Sequence, residues 1–96
     1  MNRSDHLITI LKEECGEVIL EGSKCLRFGL DEIYPPIGIT NRDRLVKELN
    51  DIVAMTQLLV EDGLLPADWM NQDLIDGKKK KVEQYLVYSR KLGRLT

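Results

Sequence analysis

Apolar residues recur at helical spacing in three stretches of this 96-residue chain. In the first, Leu7, Ile8, Leu11, Cys15, Val18, Ile19, Cys25 and Leu26 cover a broad arc at 100° per residue. That pattern predicts a helix capped at Ser4 or Asp5 and running to Phe28, where Gly29 stops it. Thr40 followed by Asp43 has the spacing of a capping box and opens a second helix. Its buried side is expected to hold Leu45, Leu49, Ile52, Met55 and Leu59, and Gly63 closes it after Asp62. A third helix is expected to start between Pro66 and Asn71 and to reach Leu92, with Leu74, Val82, Tyr85 and Leu92 on one face. No segment alternates as a strand does, so the fold class is all-α: a helical hairpin plus a third helix.

The connection from Leu30 to Ile39 contains Pro35-Pro36, which forbid a continuing helix. It is unusually apolar, with Ile33, Tyr34, Ile37 and Ile39. Two readings follow: a loop folded over the core, or a wall for a flat, partly apolar ligand such as a nucleobase.

Composition narrows the function. The length suits one domain, residues 1–96, and a net charge of -2 argues against binding a nucleic-acid polymer. No apolar run approaches the ~18 residues of a membrane span. The polar start, Met1 to Asp5, leads directly into the helical pattern and does not resemble a signal peptide. Cys15 and Cys25 lie roughly 15 Å apart along one helix, beyond disulfide reach. They read as small buried hydrophobes in a reducing, cytoplasmic setting, and the single histidine, His6, as a surface or boundary residue.

The chemistry lies in the acids. Glu14 and Glu17 border the apolar arc of the first helix, with Glu13 turned further out; Glu48 and Asp51 sit beside Ile52 and Met55 on the second. Residues three apart on a helix are neighbours, about 5 Å between Cβ atoms. An antiparallel hairpin therefore brings both pairs to one volume, where desolvation and repulsion favour a divalent cation. Oxygen-only ligands suit Mg²⁺ or Mn²⁺. Glu21, one turn beyond Glu17, is a further candidate on helical geometry. Lys78 and Lys81 share the apolar face of the third helix and suit a polyphosphate, although their stems could equally lie along apolar surface. Arg44 lies one turn before Glu48 on the same face. The arc of the first helix is wider than one partner can cover, and three helices make a thin core, so a homo-oligomer (dimer or tetramer) completing four-helix bundles is expected.

Glu13-Glu14-x-x-Glu17 followed by Glu48-x-x-Asp51 resembles the EExxE…ExxD signature of the MazG-like all-α nucleoside triphosphate pyrophosphohydrolases, in particular small single-domain phage-type members. Leu26-Arg27-Phe28-Gly29, Asn41-Arg42-Asp43-Arg44 and Lys78-x-x-Lys81-Val82-x-x-Tyr85 extend the likeness over nearly the whole chain; the spacer holding Pro35-Pro36 is longer than in many members. The resemblance implies hydrolysis of a (deoxy)nucleoside triphosphate to the monophosphate and pyrophosphate, with Mg²⁺ or Mn²⁺. Glu14, Glu17, Glu48 and Asp51 would hold metal, and Glu13 would orient or deprotonate the attacking water. Lys78 and Lys81, then Arg27 and Arg44, are the candidates for the phosphates; Tyr85, Phe28, Tyr34 or Trp69 for stacking on a base. Some phage members act on dGTP, in the host cytoplasm; nothing in these residues selects dGTP over dUTP or dCTP, so a deoxynucleotide is expected, with dGTP named on the resemblance alone. The competing expectation is a non-catalytic helical interaction module whose acids are a solvated face.

Overall fold

The computed structural model describes all residues, Met1–Thr96, and contains three helices: α1 (Arg3–Phe28), α2 (Asn41–Glu61) and α3 (Gln72–Lys91). The expected all-α class holds. α1 begins earlier than its pattern suggested, because Asn2 rather than Ser4 or Asp5 caps it. The Asn2 side chain accepts from the Asp5 N–H at 2.8 Å, and the Asp5 carboxylate accepts from the Asn2 N–H at 3.4 Å. Asp5 is thus the reciprocal partner of the cap, placed where the helix dipole favours an acid. Thr40 caps α2 as expected, and Asn71 caps α3.

α1 and α2 form an antiparallel hairpin, and α3 packs against neither of them. The core is small: Leu7, Met55 and Leu59 are buried, with Leu11 and Leu58 packed against them. Much of the apolar pattern has no partner within the chain. Ile19 is 70% exposed, Leu26 90% and Leu74 73%; Leu49, expected inside, is half exposed, and Cys15, also expected inside, is exposed. No atom lies within 4 Å of the position a Cβ would take at Gly16, so no helix of this chain approaches there. No helix is long and apolar enough to cross a membrane.

The α1–α2 connection does not fold over the core, for Ile33, Tyr34, Ile37 and Ile39 are all substantially exposed. It forms a turn in which the N–H groups of Ile37 and Gly38 donate to Tyr34 O, with Gly38 at φ 79. Asn41, almost fully buried, locks this turn to the hairpin. Its Nδ2 donates to Gly29 O at 2.8 Å and to Glu32 Oε2 at 3.0 Å, and its backbone N–H donates to Glu32 O. One side chain therefore joins the end of α1, the loop and the start of α2. Replacing Asn41 by Ala strands those acceptors and should cost about 1–3 kcal/mol in urea unfolding. An unchanged midpoint would show that the lock carries no stability.

Candidate metal centre

The hairpin register follows from three cross-helix placements. Arg3 on α1 bonds Asp62 after α2 at 2.6 Å, Glu14 faces Glu48 and Asp51, and Glu21 meets Arg44 at 2.9 Å. In that register one oxygen from each of Glu14, Glu48 and Asp51 lies within 4.8 Å of the others. All three are partly buried, and the Glu48 side chain keeps only 13% of its exposure.

Bringing these acids together perturbs them in opposite directions. Desolvation raises the Glu14 carboxyl above its ordinary value, and the hydrogen bond with Glu48 and the charges of Asp51 and Glu48 add to the effect. Glu14 therefore retains a proton to higher pH than an ordinary carboxyl. Asp51 is held below its ordinary value, chiefly by its hydrogen bond from Lys47, with Lys47 Nζ at 2.8 Å from Asp51 Oδ2. The same ammonium is 3.6 Å from Glu48 Oε1, and Asp51 in turn raises the pKa of Lys47. The Lys47 ammonium thus partly neutralises the cluster, as expected of a site that draws positive charge. The donor set, three carboxylates from two helices, fits a hard divalent ion such as Mg²⁺ or Mn²⁺ that keeps several waters.

The remaining sequence candidates are distributed differently. Glu17 and Glu13 are exposed and stand outside the three-acid group. Glu21 is not a metal candidate: it is buried and bonded to Arg44, with Lys24 at 3.4 Å from the same Oε1. Arg44 is correspondingly committed in part to Glu21. Arg27 stands over the Phe28 ring at 4.9 Å. Lys78, Lys81 and Tyr85 lie on α3, with Lys81 Nζ 6.0 Å from the Tyr85 ring, and the single chain does not bring them to the acids. Lys47 was not foreseen as part of the site; its i,i+4 spacing to Asp51 is the signal that would have found it. No family model, curated protein or solved structure matches this chain.

Two outcomes follow from this electrostatics. An acid whose folded pKa is raised contributes stability at low pH and loses it as pH rises from its ordinary value, near 4.5, through the folded one. Metal-free Glu14→Gln should therefore gain stability relative to the parent chain between pH 4.5 and 7 in thermal melts; a constant difference across that window would contradict the assignment. Mg²⁺ or Mn²⁺ at 100 times its dissociation constant should stabilise the parent by about 2.7 kcal/mol. That gain should vanish in Glu48→Gln, and an equal gain in both would place the ion elsewhere.

Proposed function

We propose that this chain is a divalent-metal-dependent pyrophosphohydrolase of the MazG-like kind, which hydrolyses a (deoxy)nucleoside triphosphate to the monophosphate and pyrophosphate and so controls a nucleotide pool. The observation that carries this reading is the meeting of Glu14, Glu48 and Asp51 across the hairpin, the three acids of the signature that share one partly buried volume. These residues would hold Mg²⁺ or Mn²⁺. When bound, the ion supplies neutralisation of phosphate charge and acidification of a water.

The protein's own groups do the rest. Water adds across the α–β anhydride, its oxygen joining one phosphorus as the bridging oxygen leaves with the other. The proton it sheds passes to a solvent-facing carboxylate, for which Glu13 and Glu17, on the same stretch of α1 as Glu14, are the candidates. Lys47 holds Asp51 in the metal-free chain, and with Asp51 holding the ion its ammonium would be available to the incoming phosphates. Arg44, held one turn before Glu48, adds a fixed positive charge on the other side.

A second copy completes the assembly. The chain exposes 7621 Å², against roughly 5,600 Å² for a compact monomer of its mass. The excess, about 2,000 Å² per chain, is of the size that obligate dimers bury. Its radius of gyration, 17.0 Å, exceeds the ~12.5 Å of a compact domain of this length. An α3 from a neighbouring chain, lying against the hairpin, would bring Lys78, Lys81 and Tyr85 to the acids. The same exposed apolar surface favours the other reading, a helical interaction module without turnover, and the two separate on activity.

A panel of NTPs and dNTPs with Mg²⁺ or Mn²⁺ should release monophosphate and pyrophosphate in equal amounts. Asp51→Asn or Glu48→Gln should lower the rate at least ~100-fold, the upper end of what changes even outside the ligand set cost metal sites. Release of orthophosphate instead, or full turnover in both variants, would overturn the proposal. In analytical ultracentrifugation a dimer or larger species is expected at micromolar concentration; a stable monomer would contradict the assembly.

A further inference from the structure

Of the cations paired in this structure, Lys47 alone touches the three-acid group. Its Nζ lies 2.8 Å from Asp51 Oδ2 and 3.6 Å from Glu48 Oε1. The others are tied elsewhere: Arg3 to Asp62, Arg42 to Asp31, and Arg44 and Lys24 to Glu21. Lys47 therefore offsets one of the three carboxylate charges from within the volume a divalent ion would occupy. Its hold is weak for two reasons. The Lys47 side chain is 64% exposed, so water screens the pair. A base placed N-terminal to its acid at i,i+4 is also the less favourable order on a helix. Arg44 is the contrast, with a side chain only 19% exposed and a buried partner in Glu21. A lysine carries a point charge on a flexible stem, so the ammonium can leave Asp51 while α2 stays in place.

We propose that Lys47 is a latch on the acidic cluster, which makes it favour an ion arriving with phosphate over a bare ion. This role presupposes the metal seat and extends the hydrolase reading to how that seat is loaded. Two opposed effects produce it. A bare ion must displace Lys47 from Asp51 and then sit beside an ammonium left without a partner, so Lys47 weakens its binding. An ion that carries a pyrophosphate brings the anion with which the displaced ammonium can pair, so the same residue strengthens binding of the complex. No proton moves in this exchange; only ion pairs change. Ion and phosphate thereby bind cooperatively, and by linkage each raises the affinity of the other by the same factor. An empty seat stays closed by the protein's own cation, and metal collects where an anhydride is present to be cleaved. Lys47 precedes Glu48-x-x-Asp51 and is not one of the residues of that signature, so the resemblance assigns it no part.

The test compares the parent chain with Lys47→Met, which keeps an unbranched stem and removes the charge, and with Lys47→Arg, which keeps the charge. Calorimetric titration with Mn²⁺ alone should show Lys47→Met binding the ion about two- to fivefold more tightly than the parent, the factor that loss of one exposed ion pair represents. Titration with preformed manganese pyrophosphate, whose anion is a product of the proposed reaction, should show the reverse, with Lys47→Met about two- to fivefold weaker. Lys47→Arg should retain the parent's preference for the complex. A shift of both ligands in one direction, which a merely structural or merely repulsive role would give, would overturn the latch. Equal affinities in the parent and Lys47→Met would overturn it too, and leave the metal seat standing. Opposite shifts in a chain that turns over no triphosphate would keep the latch and sink the hydrolase. Absence of manganese binding in every form, with and without pyrophosphate, would remove the seat and the latch together.

Discussion

The hairpin of α1 and α2 holds like charges together, and its local electrostatics follow from that constraint. Packing the apolar sides of α1 and α2 draws Glu14, Glu48 and Asp51 into one partly buried volume, and hydrophobic burial at Leu7, Met55 and Leu59 supplies the force that holds them there. Carboxylates so placed cannot all stay ionised unaided. The chain responds by raising the pKa of Glu14 and by setting the Lys47 ammonium against Asp51. That ammonium is an exchangeable positive charge, which distinguishes this cluster from the Glu21–Arg44 pair further along the hairpin. There one acid already faces two protein cations, Arg44 and Lys24, and no further cation is wanted.

The same hairpin orders its length into zones. The open end is clipped by Arg3 and Asp62 on the surface, where such pairs contribute little. The acids come next, then the Glu21 pair, and the closed end is tied by Asn41. Charge thus changes along the hairpin from the acidic cluster to the Glu21 pair with its two cations. The hairpin has no cover within the chain, because α3 stands away from it.

Helix number, approximate helix ends and the facing of Glu14 toward Glu48 and Asp51 were legible in the sequence, because periodicity and spacing are local properties. Three features were not. Asn41 reads as an ordinary first residue of a helix, and only the tertiary turn reveals its three-way lock. Glu21 and Arg44 each looked available for ligand, and only the hairpin register shows that they satisfy one another. The apolar arc of α1 was legible as wide, yet which part of it a single chain covers depends on where α3 goes, and no periodic signal encodes that. Ile19 and Leu26, helical positions of core type, stay exposed for this reason.

The central claim, that three acids of the hairpin form a seat for a divalent cation, is tested most directly by anomalous diffraction from crystals soaked in Mn²⁺. The account predicts a manganese peak bounded by the carboxylates of Glu14, Glu48 and Asp51, with the Lys47 ammonium displaced from Asp51. Density with no peak there, and Lys47 still bonded to Asp51 at millimolar Mn²⁺, would contradict it.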